Sequence, residues 1–143
     1  MTVVIRHACS DDAEAVVPLI RLLGHDVSEP GVAQRIEALA PCPQLVAADG
    51  DRIVGLCGLH LMVAIHRERP VGRITILAVD ESYRGRGIGN MLLHAAEEQL
   101  RALGCGLIEV TSNDRLKAAH RFYEHAGYER TSKRFAKILV ASL

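Results

Sequence analysis

The chain has 143 residues, of which 49% are apolar and 24% are charged, and its formal net charge is zero. This length and balance predict one globular domain, residues 1–143, and exclude a disordered chain. The zero net charge argues against a nucleic-acid partner. The charge is unevenly placed, however: residues 1–83 hold seven Arg/Lys and eleven Asp/Glu, whereas residues 115–143 hold seven and two.

The four cysteines are widely separated and show no CxxC or CxxH spacing: Cys9, Cys42, Cys57 and Cys105. This spacing predicts no metal site and no disulfide framework, and it favours a reducing compartment. The chain start turns polar after a few residues, so we expect no signal peptide. The longest apolar stretch, IVGLCGLHLMVAI, is too short to span a bilayer. We therefore expect a cytoplasmic protein with no membrane partner.

Hydrophobic periodicity and turn signals predict the element order β-α-α-β-β-β-α-β-α-β. This order is typical of a mixed sheet with helices on its faces. In chain order, the predicted elements are strand 3–8, a helix capped by Ser10 and ending near Leu23, a short helix around Ile36, strands 44–49 and 52–65, strand 73–79, a helix from the glycines to Leu103, strand 106–111, helix 115–127 and strand 133–140.

The segment YRGRGIG (residues 83–89, the glycine loop) lies between a predicted strand and a predicted helix. It does not fit a dinucleotide fingerprint, because Asn90 occupies the third glycine position, and it lacks the GK[ST] of a Walker A loop. A loop that enters a helix can still hold an anion on its free N–H groups. The three glycines permit close approach, and Arg84 and Arg86 add charge. The alternative is a flexible surface turn with solvated arginines.

Two motifs in this order resemble the GNAT superfamily of N-acetyltransferases. The stretch VDESYRGRGIGNMLL is similar to the family's acetyl-CoA-binding motif, Arg/Gln-x-x-Gly-x-Gly/Ala after a strand. Downstream, N-x5-A-x2-FY-x3-GY is similar to its second cofactor segment and comprises Asn113, Ala119, Phe122, Tyr123, Gly127 and Tyr128. The resemblance covers residues 70–140. It implies an α/β (α+β mixed) fold: a mixed, mostly antiparallel sheet of six to seven strands, about four helices, and a splayed strand pair that forms the acetyl-CoA cleft.

The resemblance also implies acetyl-CoA as the cofactor and assigns residues to it. The pyrophosphate falls on the main chain of Arg84, Gly85, Arg86, Gly87, Ile88, Gly89 and Asn90. Main-chain groups of Leu77 and Val79 would bind the pantetheine arm, and the Val79 N–H would also hold the oxyanion of the tetrahedral intermediate. Asn113 either binds the same arm or caps the following helix.

The resemblance implies direct acetyl transfer, with Tyr123 as the acid that protonates the departing thiolate. Without the motif, Tyr123 would be interpreted as a core residue. We expect Cys57 and Cys105 to be small buried residues rather than nucleophiles. Many family members carry a glutamate where this chain has Thr75, so the base stays open among water and four side chains: His60, Glu81, Glu109 and His120.

The sequence thus predicts an N-acetyltransferase that acts on a primary amine of a small molecule or a peptide. A non-catalytic acyl-CoA-binding sensor is the alternative, supported only by the missing strand glutamate. Acetylation of aminoacyl-tRNA is disfavoured by the zero net charge and by the five aromatic residues. The acidic residues of 1–83 would either favour a cationic acceptor or simply form a solvated face. Many family members pair through sheet edges or C-terminal strands, so residues 133–140 could serve a homodimer.

Overall fold

The structure is a computed structural model that describes residues 2–112 and 116–141. Contacts divide the chain into two compact units, Met1–Val110 and Thr111–Leu143. The first unit contains five strands, β1 to β5, and three helices, α1 to α3; the second contains helix α4. Their bounds are β1 Val3–His7, α1 Ala13–Leu22, α2 Glu29–Ala38, β2 Leu45–Asp49, β3 Arg52–Met62, β4 Val71–Val79, α3 Ile88–Ala102, β5 Leu107–Val110 and α4 Lys117–His125. Two 3-10 turns, Ser10–Asp12 and Glu81–Tyr83, precede α1 and the glycine loop.

The strands form one sheet in the order β1-β2-β3-β4-β5. The first three pairs are antiparallel, and β4 and β5 are parallel. The mixed, mostly antiparallel sheet and the four helices confirm the predicted fold class. The described residues form five strands rather than six or seven.

The predicted strand 133–140 is wrong, since the structure assigns no strand there. Its apolar residues do not alternate strictly with polar ones, because Ile138, Leu139 and Val140 are consecutive. Phe135 is 92% exposed and Leu139 is 87% exposed. A strand needs a buried face and a paired neighbour to be stable, and this segment shows neither among the described residues.

The start of α1 also differs from the prediction, because Ser10 does not cap the helix. Ser10 opens the 3-10 turn, and α1 begins only at Ala13. Asp12 organises this start: its carboxylate accepts the Cys9 N–H at 2.8 Å and two hydrogen bonds from the Arg6 guanidinium, each 2.8 Å. The hydrogen bonds from Arg6 lower the pKa of Asp12 to about 2. A charged pair therefore fixes β1 to the start of α1.

The sheet is covered on both faces. Leu56 and Ala78 pack with α1 and α2 in one buried cluster. Neighbouring strand residues point to opposite faces, and next to Leu56 a side chain at Gly55 would collide with Leu92 of α3, at 2.9 Å. The helices α1 and α2 therefore lie on one face and α3 on the other. On the α1 face, the helices cover the end of β4 near Ala78. His60 lies on the same face towards the other end of the sheet, on β3, and is exposed.

Candidate active site

The glycine loop connects the 3-10 turn after β4 to α3, and two of its residues adopt the left-handed conformation. Gly85 has φ 76° and Gly87 has φ 81°, conformations that residues with a Cβ rarely adopt. Gly87 occupies the N-cap position of α3. A Cβ at either glycine would meet no atom within 4 Å. The backbone conformation, and not local crowding, is therefore what requires glycine at these two positions.

The first turn of α3 has main-chain N–H groups that find no acceptor within the helix. The first intrahelical bond is donated by the Met91 N–H to the Gly87 carbonyl, at 3.0 Å. The N–H groups of Ile88, Gly89 and Asn90 precede that bond and have no carbonyl partner within the helix. No acidic residue lies in the first turn of α3. The helix dipole then favours an anion at this end, and the exposed Arg84 and Arg86 add positive charge.

One edge of β4 is open beside this loop. The strand β5 pairs with only four residues of β4, from Val71 to Ile74. No strand that the structure describes pairs with residues 75–79 on that side. The Asp80 N–H donates to the Val54 carbonyl of β3 at 2.8 Å, and alternate residues of a strand direct their main-chain groups to opposite edges. The N–H and C=O groups of Leu77 and Val79 therefore point away from β3, to the open edge.

Three ionisable side chains form a row across β3, β4 and β5, which we call the cross-strand row: His60, Arg73 and Glu109. His60 pairs with Arg73, and Arg73 pairs with Glu109. The Arg73 Nε donates to Glu109 Oε1 at 2.9 Å. The neighbouring Gly72 faces Leu100 of α3, so the row lies on the opposite face of the sheet. His60 is exposed, and the other two are half-buried.

Thr75 occupies the β-bulge of β4. Gly58 pairs with Ile76 whereas the next residue, Leu59, pairs with Ile74, so Thr75 is the extra residue of β4. Thr75 is exposed, and its Oγ1 lies against Gly58, where a Cβ would collide with it. The hydroxyl therefore lies at an accessible kink of the strand.

The other two candidate bases lie elsewhere. Glu81 is exposed in the 3-10 turn before the glycine loop. His120 belongs to α4 in the second unit, where its Nδ1 lies 3.3 Å from Arg130 Nη2.

The cysteines differ in burial. Cys57 is fully buried in β3, and burial raises the pKa of its thiol to about 12. Cys105 was predicted to be buried but is half-buried, because it lies in the turn between α3 and β5; burial still raises the pKa of its thiol. A thiol held protonated is a poor nucleophile, so neither cysteine fits a covalent acyl intermediate.

Tyr83, which the sequence analysis did not single out, joins the glycine loop to the β2–β3 hairpin. Its hydroxyl donates to Asp49 Oδ2 at 2.7 Å. The guanidinium carbons of Arg52 and Arg86 lie 5.2 and 5.0 Å from its ring centre. Arg52 also binds Asp80 at 3.2 Å. The only sequence signal was the position of Tyr83 immediately before Arg84.

In the second unit, α4 carries Tyr123 in a small aromatic cluster. The ring centres of Phe122 and Tyr128 lie 5.3 and 5.8 Å from that of Tyr123, both edge-on. The Tyr128 N–H donates to the Tyr123 carbonyl at 2.9 Å, after a left-handed Gly127 with φ 94°. All three aromatic residues are half-buried. Asn113, the other predicted cofactor residue of this unit, lies outside the described residues.

Among the described helices, none is both long and apolar enough to cross a membrane.

Comparisons with known proteins identify the family and support the fold. The model of the acetyltransferase (GNAT) family matches residues 18–128. An acetyltransferase from Trypanosoma brucei is 25% identical over 96% of this chain and 100% of its own, with a TM-score of 0.82. Among curated protein sequences, none matches significantly.

Two further solved structures share the fold at lower identity. A glucosamine-6-phosphate N-acetyltransferase from Arabidopsis thaliana is 19% identical over 98% of this chain and 100% of its own, with a TM-score of 0.82. An aminoglycoside N-acetyltransferase in complex with CoA is 16% identical over 97% of this chain and 96% of its own, with a TM-score of 0.83.

The family model spans most of the chain, including the glycine loop, the open edge of β4 and the aromatic cluster of α4. Members of this family transfer an acyl group from acetyl-CoA to an amine. The protein belongs to the GNAT acetyltransferase family.

Proposed function

We propose that the protein is an N-acetyltransferase that moves the acetyl group of acetyl-CoA directly to a primary amine. The observation that carries the proposal is the placement of two left-handed glycines and a helix start beside an open strand edge. We further propose that residues 1–143 act as one N-acetyltransferase domain. The family model supports this, because its match at residues 18–128 includes parts of both compact units.

Acetyl-CoA would lie along the loop and the open edge. Its pyrophosphate accepts hydrogen bonds from the main-chain N–H groups of residues 85–90, and the side chains of Arg84 and Arg86 supply charge. The amides of the pantetheine arm bind the main-chain groups of Leu77 and Val79, which extends the sheet by one strand-like neighbour. Asn113 is our proposed further partner of that arm.

The transfer requires one bond to form and one to break. The amine nitrogen attacks the thioester carbonyl carbon, and the Val79 N–H stabilises the resulting oxyanion. The carbon–sulfur bond then breaks as the carbonyl re-forms. The Tyr123 hydroxyl gives its proton to the departing thiolate, and the resulting phenolate takes the remaining proton from the acylated nitrogen. We propose no covalent enzyme intermediate, and the pKa of about 12 for the Cys57 thiol supports this.

We propose His60 as the group that removes the proton from the acceptor ammonium. An imidazole accepts a proton near neutral pH, and His60 is exposed on the open part of the α1 face. Glu109, the other base of the cross-strand row, is held by Arg73. A threonine hydroxyl cannot take this role at neutral pH, so Thr75 would bind the attacking amine or a water molecule.

The acceptor that we propose is a primary amine of a small molecule or a peptide. Two solved relatives are named for amino-sugar acceptors, glucosamine-6-phosphate and aminoglycosides. The cross-strand row supplies both charges on an open face, which suits an acceptor that carries an ammonium group and a hydrogen-bonding body.

The central test is thiol release from acetyl-CoA over a panel of primary amines. We expect turnover by the wild type, and Tyr123→Phe should lower kcat by roughly 100-fold because the thiolate loses its proton donor. Tyr128→Phe is the matched control, since it removes a hydroxyl from the same cluster, and it should keep wild-type kcat. CoA binding without turnover on any amine would favour the non-catalytic sensor instead.

A pH profile tests the base. His60→Gln should change the pH dependence of kcat/KM, because the proposed proton acceptor is gone, and a lysine-like acceptor should then require higher pH. Glu109→Gln is the comparison variant. If the pH profile of kcat/KM is unchanged in His60→Gln but altered in Glu109→Gln, the assignment to His60 is wrong.

A further inference from the structure

We propose that Tyr83 is a positioning residue that holds Arg86 ready for the pyrophosphate of acetyl-CoA, and that Asp49 fixes Tyr83 for this task. The inference rests on the proposed function and extends it to two residues that the motif signature Arg/Gln-x-x-Gly-x-Gly/Ala does not include. It concerns residues of the first compact unit alone.

The contacts form a chain from the β2–β3 hairpin to the glycine loop. The Tyr83 hydroxyl donates to Asp49 Oδ2 at 2.7 Å, which fixes the direction of the ring. The hydrogen bond to Asp49 raises the pKa of Tyr83 above its ordinary value, so the phenol stays a donor at neutral pH. The guanidinium carbon of Arg86 lies 5.0 Å from the ring centre, within cation–π range.

A second set of contacts holds the backbone that carries Tyr83. The Asp80 N–H donates to the Val54 carbonyl, and the Tyr83 N–H donates to the Asp80 carbonyl at 2.9 Å. Asp80 Oδ1 accepts the Ser82 N–H at 2.9 Å, and its Oδ2 binds Arg52 at 3.2 Å. Arg52 also lies over the Tyr83 ring, at 5.2 Å. Tyr83 therefore stands on a short turn whose two ends are tied to β3.

This arrangement compensates for the freedom of the loop. Gly85 and Gly87 lie on either side of Arg86 and both adopt the left-handed conformation. An arginine between two glycines loses much conformational entropy when it binds a phosphate. A guanidinium that already rests on an aromatic ring loses less, because part of the ordering is complete before the ligand arrives.

A double-mutant cycle tests the inference, with the Kd for CoA measured by calorimetry. Tyr83→Leu should raise Kd about two- to fivefold, the size expected for an exposed cation–π contact. Tyr83→Phe keeps the ring and should raise Kd less. Asp49→Ala lies outside the loop and should also raise Kd, because the ring loses its anchor. In an Arg86→Ala background, Tyr83→Leu and Asp49→Ala should add almost nothing, since they act through Arg86.

The kinetic readout separates positioning from general damage. We expect Tyr83→Leu to raise KM for acetyl-CoA with little change in kcat, and to leave kcat/KM for acetyl-pantetheine, which lacks the pyrophosphate, at the wild-type value. Should Tyr83→Leu fail to fold, Asp49→Ala and Tyr83→Phe complete the same cycle. The inference is overturned if the Tyr83 and Asp49 variants raise Kd equally with and without Arg86, or if Tyr83→Leu lowers kcat/KM equally for acetyl-CoA and acetyl-pantetheine. In either case the proposed function stands as long as the wild type binds CoA. A wild type that does not bind CoA would overturn both.

Discussion

Residues 2–110 and residues 116–141 differ in what holds them in place. Among the described residues, every buried side chain lies in the first region, where α1, α2 and α3 cover the sheet. The second region holds one helix, half-buried aromatics and an apolar segment that is exposed from Phe135 to Val140. The glycine loop, our proposed pyrophosphate site, belongs to the well-packed region, whereas the proposed acid, Tyr123, belongs to the other. The two parts of the proposed site therefore need different tests: the glycine loop can be tested through its backbone geometry, and Tyr123 through its hydroxyl.

The largest expected effect compares one leucine from each region. Leu92 of α3 is fully buried, and Leu139 is 87% exposed. Leu92→Ala should lower the free energy of unfolding by about 2 to 5 kcal/mol, because it leaves a cavity against the sheet. Leu139→Ala should change it by less than about 0.5 kcal/mol. Urea unfolding measures both, and similar losses in the two variants would contradict the contrast between the regions.

The next prediction separates the effect of a glycine substitution on the free energy of unfolding from its effect on CoA affinity. Gly87 and Gly104 stand at the two ends of α3 with φ 81° and 89°, and both have open space around the missing Cβ. Valine at either position should lower the free energy of unfolding by roughly 1 to 3 kcal/mol through backbone strain. Only Gly87→Val should also weaken CoA, by at least about tenfold, or 1.4 kcal/mol. Calorimetry of both variants checks this, and equal CoA affinity would remove the loop from the cofactor site.

The last prediction concerns how the free energy of unfolding depends on pH through Asp12 of the first region. The pKa of Asp12 is about 2, because Arg6 and the Cys9 N–H stabilise its carboxylate, whereas an unfolded aspartate titrates near about 3.9. A carboxylate whose pKa is lowered by folding stabilises the fold at pH values above its pKa in the unfolded chain. This stabilisation is lost as the pH falls through about 4 towards about 2. Asp12→Asn should therefore cost about 2 kcal/mol at pH 7 and progressively less in acid.

Unfolding of Asp12→Asn and of the wild type, followed from pH 7 to strong acid, gives this difference directly. The two free energies of unfolding should converge at low pH, because the wild-type carboxylate is then protonated. A gap that stays constant over the whole range would mean that the carboxylate charge contributes nothing.

Much of the first region could be predicted from the sequence because its signals are local. Apolar periodicity marks α3, and the turn at Gly50 marks the β2–β3 hairpin. The bounds of strands were less predictable: β3 ends at Met62 rather than at residue 65, since Ile65 is fully exposed and finds no partner. Pairing decides where a strand ends, and pairing is not a local property.

The features that the sequence did not reveal depend on contacts between distant residues. Asp12 replaces Ser10 as the organiser of α1 because Arg6 of β1 lies beside it. The contact between Tyr83 and Asp49 joins residues 34 positions apart. The cross-strand row depends on strand order and register, which the spacing of charges along the chain does not encode. Residues 133–140 were predicted as a strand from partial alternation of apolar and polar residues, which does not show whether a neighbouring strand exists.

The most direct test of the central claim is a CoA titration of the isotope-labelled protein, followed through its backbone amide resonances. The account predicts saturable shifts at Leu77, at Val79 and at the amides of residues 84–90, with residues of β1 and β2 far less affected. Shifts that avoid the loop and the open edge of β4, or no shifts at all, would contradict the assignment of the acetyl-CoA site.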